Sequence, residues 1–534
     1  MLWTPSKFHP SESLSLVPKI YAHMKEAPFA HSTFGRMEAQ SRTTPSVDAV
    51  KGQQENVEMS FLRPPVVRLG AGAALNRALF SKKVDLAAAA IQSPKVIAHY
   101  RKVLQTSQEM LKVDRISPIV SHPDKELGAQ GRKCILLNPS VKAEEPTTWG
   151  PVIQEGIQKE ELTVIPYELT LEYDYWTARD TMESVLPPEL HDEIPSGFNV
   201  AGHVAHLNLR DSYLPYKKVV AEIILDKNPS IKTVINKVDN VGAESEFRTF
   251  QYEVLAGEDD LNVSCTENNC SFNFDYSKVY WNSKLEYEHT RIISFFKPGE
   301  VVCDVMAGIG PFALPAGKKR VFVWANDKNP ESYKCLKANI QKNKVQDFVR
   351  PFCEDGLGFI RQATDEILAA SLKGEKVVIT KPGPRSKSKK TDKPTTPGFV
   401  PEPLKPLITE TYPLPPTISH FVMNLPASAI EFVGSFKGIY QLQENLFAPT
   451  TKTPLPLVHV HCFALKADDE RPLIDICERL TKYLGFPMKP GNIDYNLNGE
   501  GEVAVHNVRD VAPAKSMYCA TFRLPAAVAF AARD

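Results

Sequence analysis

The stretch VVCDVMAGIGPFALPAG, residues 301–317, decides how the second half of this 534-residue chain is read. VVCDV is the apolar run of a strand buried on both faces. Gly308 and Gly310 then allow a tight turn and a close backbone approach to a ligand. A dinucleotide fingerprint would carry its third glycine where Ala313 stands, and Pro311 removes an amide that a phosphate cradle would use. Asp304, inside the run, would repel a phosphate. The turn is shaped for a close ligand and poorly equipped for pyrophosphate.

The segments that follow repeat the arrangement. RVFVWAND, residues 320–327, reads as a second strand ending at Asp327, where a carboxylate can accept from both hydroxyls of a ribose. Asn329 is placed as an N-cap and Pro330 as the first residue of a helix with Tyr333, Leu336 and Ile340 on one face. FVRPFCEDG is a third strand, ending at Asp355, which is suited to an adenine amino group. HFVMNLP is a fourth, and its Asn424-Leu425-Pro426 turn offers an amide carbonyl to the exocyclic amine of a base. Each acid alone is as well explained as a loop cap. Together they line the carboxyl edge of one sheet, where open α/β folds bind ligands. The ligand they suit is S-adenosylmethionine, with Asp304 toward its amino-acid end.

Outward from this region, strand and helix signals alternate from about Tyr276 to the C-terminus, as in a parallel sheet with crossover helices. The alternation is interrupted at residues 381–416, a Pro-rich basic segment read as a disordered insert within the domain. Residues 161–275 read as a middle α+β domain opening on the period-2 strand LTVIPYELTL. Residues 141–160 read as a linker. Residues 58–140 read as a small N-terminal α+β domain, and residues 1–57 as a tail without apolar periodicity.

Bulk properties narrow the class. Lys+Arg and Asp+Glu are both 63, so the net charge decides nothing about nucleic acid, which follows local patches. Nine scattered cysteines suit a reducing compartment: cytoplasm, nucleus or mitochondrial matrix. No apolar run approaches the roughly 20 residues of a membrane span. The tail is basic and Ser-rich like a mitochondrial presequence, but Glu12, Glu26 and Glu38 depart from that pattern; Met37 offers a second start.

The quoted motifs, with VYWNSKLEYEHTRI at residues 279–292 and MNLPASAIEFV at residues 423–433, closely resemble the eukaryotic and archaeal tRNA guanine-37 N1-methyltransferases. Residues 202–238 and 247–258 resemble that family's middle, RNA-binding domain. The resemblance covers roughly residues 160–530 and fades toward the N-terminal domain. It implies a class I, Rossmann-like AdoMet-dependent methyltransferase domain, a tRNA with G37 as partner, and a monomer that needs no membrane. No metal is implied.

Guanine N1 carries a proton at neutral pH, so a base must remove it and a cation should face the developing charge on O6. The resemblance makes Glu288 the base and Arg248 the O6 cation, with Tyr280, Asn424 and Pro426 shaping the guanine pocket. It places His289, Asp304, Gly308, Gly310, Asp327, Lys328, Asp355, Gly356 and Asn424 at the cofactor. Two positions depart from the family. Lys284 stands where some members have arginine, and lysine lacks the bidentate fork; His289 stands where archaeal relatives have arginine. Lys217, Lys218, Lys227, Lys232 and Lys237 are candidates for the anticodon stem. The alternatives are an aminocarboxypropyl transferase acting on a modified guanine at the same position, or a non-catalytic tRNA-binding protein. Pro311 and the Asn-Leu-Pro turn favour methyl transfer.

Overall fold

The computed structural model describes residues 62–195, 197–238, 247, 251–382, 407–491 and 499–533. The N-terminal tail, Arg248 and most of the expected insert lie outside the described residues.

The first sheet contains β1 (Lys82–Ile91), β2 (Ile119–Ser121), β3 (Lys133–Leu136) and β4 (Leu162–Leu171), in the order β2-β3-β1-β4. The alanine run of β1 lets the Ile97–Thr106 and Pro151–Gln158 helices bury Tyr100, Leu104 and Ile153 against it. Two expectations are corrected here. β4, expected to open the middle domain, pairs antiparallel with β1 from Lys82↔Leu171 to Ile91↔Leu162. The segment expected as a linker holds the Pro151–Gln158 helix. A period-2 pattern tells which face is buried and says nothing about which strand is the partner.

The second sheet has the order β5 (Asn199–Ala201), β6 (Val204–Leu207), β7 (Thr233–Lys237), β8 (Tyr252–Gly257). β6 and β7 are parallel, and the Lys217–Lys227 helix makes the crossover, burying Val219, Val220, Ile223 and Ile224. A hairpin follows, β9 (Asn262–Glu267) and β10 (Cys270–Asp275), turning through Asn268 and Asn269 at positive φ. Expected within the middle domain, it shares a core with the C-terminal sheet. Its Ser271 and Asn273 amides donate to Asn343 and Asn339 of the Pro330–Asn343 helix, both at 2.9 Å.

The large sheet is built from β11 (Val301–Asp304), β12 (Phe322–Asn326), β13 (Val349–Phe352), β16 (His420–Met423), β17 (Leu457–Leu465), β18 (Lys489–Pro490), β19 (Glu502–Ala512) and β20 (Lys515–Arg523). Its order is β13-β12-β11-β16-β17-β20-β19-β18. The first five are parallel and β20 runs against β17; β12 and β13 are added on one side of β11, and β16 and β17 on the other, so the strand order reverses at β11. β14 (Lys376–Pro382) and β15 (Leu407–Pro413) form a separate antiparallel pair, so both ends of the expected insert lie in a hairpin. No helix among the described residues is long and apolar enough to cross a membrane.

Candidate active site

β11 and β16 are neighbours although more than a hundred residues separate them in the chain, and the crevice forms at their carboxyl ends. A cavity of about 310 Å³ lies there. The backbone of the glycine turn, the ends of β12 and β13, and Asn424 and Leu425 after β16 line it. Tyr280, Trp281 and His289 close it from the segment before β11.

Gly308 is at φ +56° and donates its amide to Asp327 Oδ2 at 2.8 Å. Asp327 Oδ1 accepts from the Asn329 amide at 3.0 Å. Burial raises the Asp327 pKa, and these amide bonds offset part of the rise. Asp355 caps the Gly356–Leu372 helix and pairs with Lys328 at 3.1 Å; the Leu357 amide and the lysine lower its pKa. Asn326, fully buried, crosslinks the strand ends: its amide donates to the Val305 carbonyl at 3.1 Å and the Glu354 carbonyl at 3.0 Å. No sequence pattern marked it.

The structure brings Tyr280, His289, Gly308, Asp327, Lys328, Asp355, Gly356 and Asn424 together around the cavity. It places four expected residues behind the lining. Gly310, at φ +100°, packs against Leu314 and Leu336. The Pro426 carbonyl accepts from the Phe463 amide at 3.1 Å, which ties the turn to β17. Asp304 is fully buried, and neither of its oxygens has a hydrogen-bond partner among the described residues. Burial, reinforced by Asp327, pushes its pKa well above the ordinary carboxyl value.

Glu288 is also buried, at 1% exposure, and is held on several sides. Arg291 donates through Nε at 2.6 Å and through its amino nitrogen at 2.7 Å, and His461 Nε2 is 2.7 Å from Oε1. Burial alone would raise its pKa; the hydrogen bonds and charges of Arg291 and His461 prevail and hold it below the usual carboxylate range. His461, which burial would lower, is pushed up to about 10 by Cys519 and Glu288. The sequence motif contained Arg291, but nothing in it pointed to His461.

An adenosyl ligand with an amino-acid tail fits these groups. Asp327 and Asp355 supply acceptors for ribose and base, while Met306, Ile309 and Phe432 give apolar wall. The Trp281 indole nitrogen, in the lining and without a hydrogen-bond partner among the described residues, is a donor that such a ligand's oxygens would satisfy, and the buried Asp304 carboxyl lies behind the lining.

Family models for the TYW2 N-terminal domain and the TRM5/TYW2 methyltransferase domain match residues 178–260 and 264–381. The chain is 64% identical over 482 residues to the tRNA (guanine(37)-N(1))-methyltransferase of Neurospora crassa, covering 90% of this chain and 98% of that protein. It is 56% identical over 476 residues to that of Fusarium vanettenii, covering 89% and 98%. Among solved structures, the complex of aTrm5 and tRNALeu is similar in fold, with a TM-score of 0.50 at 18% identity, over 82% of this chain and 99% of that one.

Proposed function

The chain belongs to the tRNA (guanine(37)-N(1))-methyltransferase family, and from that premise we propose that it methylates N1 of the guanosine 3′ of the anticodon. The observation that carries the reading is the cavity at the ends of four adjacent parallel strands, with Asp327, Asp355 and Asn424 in one wall system. S-adenosylmethionine, the cofactor, supplies an electrophilic methyl group.

The protein's own residues do the rest. Asp327, Asp355 and the Gly308 turn hold the cofactor. Asn424 receives the guanine's exocyclic amine, and Tyr280 forms the aromatic edge of the pocket. Phe247 lines the cavity, which supports a role there for its neighbour Arg248 opposite O6. Glu288 removes the N1 proton. A carboxylate clasped by Arg291 and His461 is a weak base, so the clasp opens when the anticodon loop is seated. Loop bases in RNA can be splayed into such a pocket.

The test is methyl transfer from labelled S-adenosylmethionine to unmodified transcripts carrying G or A at position 37, with the product nucleoside identified by mass. We expect 1-methylguanosine from the G37 transcript alone. No transfer to either transcript overturns the reading, and transfer of an aminocarboxypropyl group replaces it.

A further inference from the structure

A row of polar side chains crosses the core beside the Glu286–Phe295 helix, and the chemistry above leaves most of it unused. His459 is in register with Thr521, and His461 with Cys519, across β17 and β20. Residues two apart on a strand share a face. With His420 on β16, all five are at most 5% exposed. Phe295 stacks on His459 and Phe296 lies on His420.

The contacts are consecutive. Glu300, whose side chain is 27% exposed, has Oε2 3.4 Å from His420 Nε2. His420 Nδ1 is 3.1 Å from His459 Nε2, and His459 Nδ1 is 3.0 Å from Thr521 Oγ1. Thr521 Oγ1 is 3.9 Å from Cys519 Sγ. Cys519 Sγ lies within 4.8 Å of a ring nitrogen of His461 and of a Glu288 oxygen, and His461 Nε2 is 2.7 Å from Glu288 Oε1. The open link is His461 Nδ1, which is buried and has no hydrogen-bond partner among the described residues, and the relay requires Cys519 Sγ to move into its reach. A linked polar row is a costly thing to place in an apolar core, and packing does not ask for it.

We propose that this row is the exit path of the proton taken from guanine N1, leading from Glu288 to Glu300. The proposal rests on the reading of Glu288 as the base. Methylation replaces the N1–H bond by an N1–C bond, so one proton must leave for each methyl group transferred. Glu288 carries it back to its clasp with His461. The pair then holds one proton more than at rest, and His461, an imidazolium with a proton on each nitrogen, passes its Nδ1 proton to Cys519 Sγ while the thiol proton moves to Thr521 Oγ1. The hydroxyl proton moves to His459 Nδ1, the His459 Nε2 proton to His420 Nδ1, and the His420 Nε2 proton to Glu300. The Glu288–His461 pair as a unit, and each group from Cys519 to His420, gives one proton for each it receives, and Glu300 releases one to water. Imidazole and hydroxyl groups can each donate and accept, as such a relay requires.

The experiment is single-turnover methyl transfer by the full chain, at saturating S-adenosylmethionine and G37 transcript. Thr521→Val removes the hydroxyl at nearly constant volume and should slow transfer about 100-fold or more, the low end of what a positioned proton-transfer group contributes. Cofactor affinity should be unchanged, and Thr521→Ser should restore most of the rate. Glu300→Gln, at the surface end, should slow transfer similarly, and it decides alone if Thr521→Val does not fold. Either variant at the wild-type rate overturns the relay, as does a slow Thr521→Val that Thr521→Ser fails to rescue. Glu288→Gln separates the two readings. If it is as fast as wild type, the base assignment fails and the relay with it. If it is slow while Thr521→Val and Glu300→Gln are fast, only the relay fails.

Discussion

Oε1 of Glu267 lies 2.5 Å from Nδ1 of His289, joining the β9–β10 hairpin to the first turn of the helix that carries Glu288. Both side chains are 4% exposed, and His289 forms part of the cavity wall. A carboxylate at Nδ1 fixes the orientation and tautomer of the ring, which leaves Nε2 as the atom available to a ligand.

Glu267→Gln should therefore weaken cofactor binding more than turnover. Hydrogen bonds to charged groups contribute about 1.5–3 kcal/mol, so the KM for S-adenosylmethionine should rise about tenfold with little change in kcat. Steady-state kinetics with the cofactor varied gives the split. An unchanged KM would mean that the pair serves packing alone.

The two glycines of the turn should fail in different ways. A Cβ on Gly310 would meet Leu314 and Leu336 at 2.9 Å, with φ at +100°. Gly310→Ala should lower the melting temperature, by a destabilisation of about 1–3 kcal/mol. A Cβ on Gly308 meets nothing within 4 Å, since the residue lines the cavity. Gly308→Ala should largely keep the fold and lose cofactor affinity. Thermal melts and calorimetric titration of both variants check this.

Asp304 is a liability in the ligand-free protein. Its folded-state pKa is raised, so the stability it allows is full below the unfolded value of about 3.9 and is lost as pH rises toward the folded value. Asp304→Asn should melt higher than wild type at neutral pH without cofactor, yet gain less when cofactor is added. A lower melting temperature for the free variant would contradict this.

The Glu288–His461 pair should give stability with two pH limbs. The lowered pKa of Glu288 means that its contribution is present above about 4.3, the unfolded value, and is lost as pH falls further. His461 works in the opposite sense: its contribution is full below about 6.5, the unfolded value, and is lost as pH rises through its folded value of about 10. Melting temperatures from acid to alkaline pH should fall on both sides for wild type and be flatter for Glu288→Gln. Glu288→Ala, which leaves Arg291 and His461 buried without a counter-charge, should cost about 3–5 kcal/mol.

Much of the site was legible because its signals are local. Gly308 sits at positive φ as a turn glycine would, and Asp327 and Asp355 follow apolar runs that end where strands end. Asn329 caps its helix as its place before Pro330 implied, its side-chain oxygen accepting from the Glu331 amide. Asn326 carried no such mark, because a buried amide that ties three strand ends looks in sequence like any residue of an apolar run. Glu267 was hidden for the same reason, since its partner is on another element.

The sequence by itself determined the glycine turn, the order of acid-ended strands and the helix caps, since each depends on backbone preferences of residues a few places apart. Only the tertiary structure decided that β4 belongs to β1, because either sheet could have covered its apolar face. It alone decided that Glu288 lies beneath the cavity lining, clasped by Arg291 and by His461, 173 residues further along the chain. Burial and charge pairing of that kind arise from where the sheet brings distant strands together, and local pattern carries no trace of them.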